Sequence, residues 1–247
     1  MAVPALKTED FIFNREGDRL YGYGAWPARE ERLPAVLIIP DVHGLSDHYR
    51  DIARRFAGEG FFSMALDLYS REGAPKLRDA AAVQQWLLDL DDRRVLDDID
   101  VAARFLRSRV EVRRLGVGIV GFCVGGQYAL LAACETENFS ACVSFYGMLR
   151  HAERSERKPV APLEIASRLA CPYLGFFGAD DPLIPRTDVR ELEGIFKTTG
   201  KRYQTKTYAG AGHAFFNDRR PDAYRPDAAA DAWTRTIAFF REVLSAS

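Results

Sequence analysis

The sequence predicts an α/β fold, a mostly parallel sheet with helices on both faces, and three observations carry that prediction. Strand-like and helix-like segments alternate along the chain; several strand segments are short continuous apolar runs; and no composition shift or low-complexity stretch divides the 247 residues. One domain spanning residues 1–247 is therefore expected, with ample chain for a sizeable core.

The elements follow in order. Phe11-Ile12-Phe13 and Leu20 to Trp26 read as an opening antiparallel pair joined through Glu16-Gly17-Asp18. Ala35 to Ile39, apolar and bounded by prolines, reads as a buried strand, and Asp47 to Gly58 as a helix with Ile52, Phe56 and Ala57 on one face. Phe62 to Leu66 is the next strand. Asp79 to Leu90 and Val95 to Arg107 read as helices, the second with Leu96, Ile99, Ala103 and Leu106 at helical spacing. Leu115 to Val120 is apolar and leads into a turn, and Gln127 to Cys134 is helix-capable. Strands at Ala141 to Tyr146, Pro172 to Phe177 and Arg202 to Tyr208 follow, then a helix at Asp227 to Leu244 with Ala230, Trp233, Ile237, Phe240 and Leu244 on one stripe. The charged run His151 to Lys158 reads as an exposed excursion over the sheet.

Composition narrows the class. With 47% hydrophobic and 28% charged residues and a net charge of −1, nothing points to nucleic acid or an anionic membrane. Met1 to Asp10 has no apolar signal core, and no run approaches membrane-spanning length. Four cysteines without a C-x-x-C pair argue against a disulfide scaffold or a zinc cluster. A reduced, cytoplasmic protein, monomeric or homodimeric, is expected.

The chemistry concentrates at Gly121-Phe122-Cys123-Val124-Gly125-Gly126, which has the form of a nucleophile elbow carrying sulfur. A strand-to-helix corner this sharp needs small neighbours, lifts the reactive atom above the sheet and aims the following N–H groups at a developing oxyanion. Cys134, Cys142 and Cys171 lack such flanks and read as core. A thiol at the elbow needs a base and a group that holds the base's tautomer. His213, in the Gly-rich loop Tyr208-Ala-Gly-Ala-Gly-His213, is the expected base, with His43 the alternative; His48 and His151 are expected to face solvent. Asp180, three residues beyond the strand ending at Phe177, is the expected acid, with either Asp180 or Asp181 also readable as a turn residue. The loop Pro40-Asp41-Val42-His43-Gly44 follows the buried strand, so the N–H groups of Val42 and Val124 are assigned to the oxyanion hole. The order Cys123, Asp180, His213 matches that of α/β-hydrolases.

With these residues in place the chain resembles the dienelactone hydrolase (carboxymethylenebutenolidase) family of α/β-hydrolases. The marks are Gly-Phe-Cys123-Val-Gly-Gly, Phe145-Tyr146-Gly147, Asp180-Asp-Pro182 and Gly212-His213-Ala-Phe215. The resemblance implies hydrolysis of enol-lactones or related small esters through an acyl-cysteine, without cofactor or metal. It also implies an acid in the first loop that modulates the thiol, a place held here by Asp41. Well-known members clamp a lactone carboxylate with two arginines, but Asp79 and Asn217 stand at those places; Arg78, Arg71, Arg219 or Arg220 are the available substitutes. Arg78, Asn217 and Phe215 are accordingly expected at the substrate, and Trp86, Tyr146 and Phe216 read equally as pocket wall or core. A thioesterase or acyltransferase would use the same triad; a non-catalytic or redox-sensing protein of this fold is the remaining alternative.

Overall fold

The computed structural model describes residues 5–15, 17–29, 31–71 and 73–245; Glu16, expected in the first turn, and residues 1–4 of the N-terminal segment lie outside them. Strands β1 (Leu6–Arg15) and β2 (Asp18–Pro27) pair antiparallel in unbroken register, Leu6 opposite Pro27 and Arg15 opposite Asp18. Behind them come β3 (Leu33–Ile39), β4 (Phe62–Leu66), β5 (Val112–Phe122), β6 (Ala141–Phe145), β7 (Tyr173–Gly178) and β8 (Tyr203–Tyr208). They form one eight-stranded sheet in the order β1-β2-β4-β3-β5-β6-β7-β8. β2 meets β4 antiparallel, and every pairing from β4 through β8 is parallel. The strands β4, β6 and β7 are buried at every position, as expected where helices cover both faces of a parallel sheet.

The helices are α1 (Asp47–Gly58), α2 (Ala80–Asp89), α3 (Asp92–Ser108), α4 (Val124–Glu135), the single turn α5 (Pro162–Ile165), α6 (Arg186–Thr198) and α7 (Pro226–Ser245). α1 and α7 share one face, where the Phe56 ring packs tilted 4.7 Å from Trp233 and edge-on 6.0 Å from Phe240. α3 and α4 share the other, and Phe105 of α3 packs 4.8 Å from Phe13 of β1. Asp79, expected inside α2, is instead its cap, its Oδ1 accepting the Ala82 N–H at 2.8 Å. In α7 the buried stripe runs through Ala229, Ala232, Ile237, Phe240 and Leu244; Ala230, expected on it, is exposed, one residue being a rotation of about 100°.

Two further expectations are corrected. The excursion Ala152–Arg157 is exposed, but it is pinned at both ends. Lys158 is 3% exposed and its Nζ lies 2.6 Å from Asp92 and 2.9 Å from the Tyr128 hydroxyl. The side chain of His151 is equally enclosed, with Nε2 donating to the Val160 carbonyl at 3.0 Å and Nδ1 facing Gln127. His151 therefore does not face solvent. Neither does His48, which is packed edge-on against Tyr49 and Phe216. Each ring is held inside by a polar partner, His151 by Val160 and Gln127 and His48 by Asp218 through Nδ1. Among the described residues no helix is long and apolar enough to cross a membrane.

Candidate active site

Five neighbouring parallel strands deliver the site, each at its carboxyl end, where α/β sheets collect functional side chains. Asp41 and Val42 follow β3, Cys123 follows β5, Tyr146 follows β6, Asp181 follows β7 and His213 follows β8.

Cys123 sits between β5 and α4 with φ 56°, ψ −123°, a strained conformation for a residue with a side chain. Its N–H is held by the Phe145 carbonyl at 3.0 Å. The corner closes only because its flanks lack side chains. A Cβ on Gly121 would lie 1.9 Å from the Gly125 carbonyl oxygen, and one on Gly125 would lie 2.2 Å from that of Ile39. Tyr146 and Ala214 are the other two non-glycine residues at positive φ among those described, and both border this point. Backbone strain is thus collected at one place, which is where it serves function most often.

His213 Nδ1 donates to Asp181 Oδ2 at 2.8 Å, and the Asp181 side chain is completely enclosed. Asp181, not Asp180, is therefore the acid that meets the histidine. The turn after β7 explains the one-residue difference: Asp180 N–H bonds to the Ala211 carbonyl and its side chain is exposed, while Asp181 points inward. Asp181 Oδ1 accepts the Leu183 N–H at 2.9 Å, so one carboxylate both shapes the turn and orients the ring. The Tyr146 ring closes on His213 edge-to-face at 5.1 Å.

The electrostatics couple these groups. Burial alone would push the His213 imidazole down, but the Cys123 thiolate and the Asp181 carboxylate carry it up to about 10. Its Nε2 is buried, and the Cys123 sulfur is the group that raises the ring most. Burial pushes the other three thiols up: Cys134 and Cys171 to about 12, and Cys142 well above its ordinary value. These three are fully packed core residues, as expected, and inert at neutral pH.

Val124 opens α4, so its N–H has no partner within the helix. Val42 lies in the turn after β3, and its N–H makes no backbone hydrogen bond among the described residues. Both valines are buried beside the elbow. Asp41 is buried as well, its Oδ1 accepting the His43 N–H at 2.9 Å, while His43 itself is exposed. Asp41 and the Cys123 thiolate act together on one ring of phenols: burial, then both charges, push the Tyr49 and Tyr146 hydroxyls up, and the Tyr69 hydroxyl likewise. Tyr69 donates to the Val42 carbonyl and Trp86 packs against it, 5.4 Å between rings. Tyr49 and Tyr69 escaped the sequence reading, because an aromatic in a helix or turn carries no motif.

The expected substrate contacts fare unevenly. Phe215 is fully buried between Tyr146 and Tyr208 and shows no open face. Asn217 is buried too, its Oδ1 spent on the Arg219 N–H at 3.0 Å. Arg78 is exposed ahead of α2, and Arg71 is bound to Asp98 and Asp18 elsewhere. Arg220 is the cation whose charge reaches Tyr146. No group of His, Cys, Asp and Glu among the described residues could hold a metal ion.

A dienelactone hydrolase family model matches residues 20–244. A Bradyrhizobium protein named "Probable 2-oxo-3-(5-oxofuran-2-ylidene)propanoate lactonase" is 39% identical, over 98% of this chain and 96% of its own. A provisionally named carboxymethylenebutenolidase of Escherichia coli strain K12 is 35% identical, over 92% of this chain and 84% of its own. The crystal structure of a provisionally named dienelactone hydrolase from Klebsiella pneumoniae subsp. pneumoniae superposes with a TM-score of 0.90 at 30% identity, covering 96% of this chain and 98% of that one.

Proposed function

The chain belongs to the dienelactone hydrolase family of hydrolases, and from that premise we propose that it opens a small enol-lactone through an acyl-cysteine intermediate on Cys123. The observation that carries this reading is the enclosed Asp181–His213 pair set beside a strained cysteine at the head of α4. In the proposed cycle the Cys123 thiolate attacks the lactone carbonyl carbon. The carbonyl oxygen takes the negative charge and lies between the N–H groups of Val42 and Val124. Collapse breaks the ring C–O bond, and His213, held in its tautomer by Asp181, gives its Nε2 proton to the departing enolate oxygen. Water then attacks the thioester, its proton passing to His213 Nε2; the C–S bond breaks, which releases the acid and restores the Cys123 thiolate beside a protonated His213.

Asp41 is proposed as the thiol-modulating acid; its burial after β3, in the loop that carries Val42, and the reach of its charge to the same three tyrosines as the Cys123 sulfur support that role. The Bradyrhizobium relative's name describes a lactone that carries a 2-oxo acid, hence an anion. Arg220, whose charge already reaches Tyr146, is proposed as the group that meets that carboxylate, in place of the expected Arg78 and Asn217. The experiment is hydrolysis of p-nitrophenyl acetate, a neutral and an anionic enol-lactone by wild type and Cys123→Ala. Loss of all three activities in the variant, with the anionic lactone preferred by wild type, is the expected result. Full activity in the variant would refute the cysteine mechanism.

A further inference from the structure

The pocket geometry depends on how two separate loops face each other. One, Asp41–Gly44, carries the proposed oxyanion donor Val42 and runs directly into α1, with the Ser46 N–H bonded to the Gly44 carbonyl at 2.8 Å. The other carries His213 and continues through a tight turn, Asn217 N–H to the Ala214 carbonyl at 2.9 Å, into Asp218. A second histidine–aspartate pair joins them: His48 Nδ1 of α1 lies 3.2 Å from Asp218 Oδ1. The His48 ring is 4% exposed and wedged between Tyr49, at 5.0 Å, and Phe216, at 6.5 Å, two residues before Asp218. Its Nε2 is buried and has no hydrogen-bond partner, so the ring proton belongs on Nδ1 and points at the carboxylate.

We propose that His48 is a positioning residue: through its bond to Asp218 it fixes the His213 loop against the oxyanion loop and thereby sets the distance between base, thiol and oxyanion donors. This rests on the Cys123–His213 reading above. The aromatic contacts alone would leave the loop free to slide along α1, since ring packing has no fixed register, whereas one hydrogen bond between short side chains does. The charged groups that act on His48 are Asp218 from the base loop, which also has Arg219 Nε at 3.9 Å, Asp41 from the oxyanion loop and Arg55 from its own helix. Burial, with Arg55 in the same sense, holds the imidazole below its ordinary value despite both carboxylates. The tether is thus a neutral donor on a carboxylate that is itself half-exposed.

The test compares His48→Ala, His48→Asn and Asp218→Asn with wild type and Cys123→Ala. Asparagine can place an N–H where Nδ1 stands. The readouts are kcat and KM for p-nitrophenyl acetate, the pH profile of Cys123 alkylation by iodoacetamide, and Tm. The expected result is a fall in kcat of about tenfold or more in His48→Ala, of the size that small misplacements of catalytic groups produce. KM should stay within about twofold, the alkylation profile should shift, and His48→Asn should recover most of kcat. If His48→Ala lowers Tm but leaves kcat and the alkylation profile at wild-type values, the ring only packs and the proposal is overturned. If His48→Asn is as impaired as His48→Ala, the hydrogen bond is not the active element and the proposal is again overturned. Cys123→Ala reports on the underlying reading separately: activity retained there sinks the triad, whatever the His48 variants do.

Discussion

Replacing Asp181 by asparagine should disable the enzyme, while the same change at Asp180 should not. The size of the effect follows from the two bonds that the Asp181 carboxylate makes. Oδ1 accepts the Leu183 N–H at 2.9 Å and Oδ2 faces His213 Nδ1 at 2.8 Å, in a side chain with no exposure to water. An asparagine must keep its oxygen toward Leu183, because the only alternative sets N–H against N–H. Its amide NH2 then points at His213 Nδ1 and forces the ring proton onto Nε2, the nitrogen that must accept a proton in catalysis. The charge that supports the imidazolium is lost as well, about 1.5–3 kcal/mol for a hydrogen bond to a charged group. Together these predict a fall in kcat on the order of 10³–10⁴, the scale seen when a triad acid is neutralised and the base takes the wrong tautomer. Asp180, exposed and without a side-chain hydrogen bond among the described residues, should change kcat by less than about twofold. The assay is steady-state hydrolysis of p-nitrophenyl acetate, with circular dichroism to show that both variants fold. The reasoning is refuted if Asp181→Asn stays within about tenfold of wild type, or if Asp180→Asn falls as far.

Three other outcomes are expected. The His213 value is raised in the folded protein, so the stability it contributes is complete below about pH 6.5 and is lost as pH rises through about 10; Cys123→Ser removes the thiolate, and NMR titration of the ring should show its midpoint falling by more than one unit, whereas an unchanged midpoint contradicts the coupling. Gly125→Ala places a methyl 2.2 Å from the Ile39 carbonyl oxygen and should give no stable, active enzyme; Gly194→Ala, in exposed α6 with nothing within 4 Å, should raise stability by about 0.5–1 kcal/mol in urea denaturation. Lys158→Ala leaves Asp92 buried beside only Tyr128 and His151, and should lower unfolding free energy by roughly 3 kcal/mol or more; a loss below about 1 kcal/mol would mean water or a side-chain shift satisfies the carboxylate.

Where sequence reading succeeded, a local constraint dictated the residue. The glycines at positions 121 and 125 are required by contacts closer than any side chain permits, so the elbow is visible without a structure. α1 and β4 fall at the residues expected, because each is bounded by turn residues and follows one clear hydrophobic period. The acid was missed by one position: Asp180 and Asp181 have the same chemistry, and only the turn that bonds Asp180 N–H to Ala211 decides which faces inward. α6 was missed altogether, although Val189, Leu192 and Phe196 form its buried stripe, because its remaining positions are polar and its start follows two prolines. His48 and His151 were misplaced for a different reason. A polar ring inside needs partners, and theirs, Asp218 and Gln127, are distant in sequence from one and lie across an α4 packing surface from the other. Burial of that kind is a tertiary fact.

The central claim, an acyl-enzyme on Cys123, is tested most directly by mass spectrometry of enzyme quenched within the first turnover of p-nitrophenyl acetate. The account predicts one acetyl group per chain, located on the peptide that contains Cys123 and absent from Cys123→Ala. An acetyl group on any other residue, or turnover at the full rate with no adduct on Cys123 at any quench time, would contradict it.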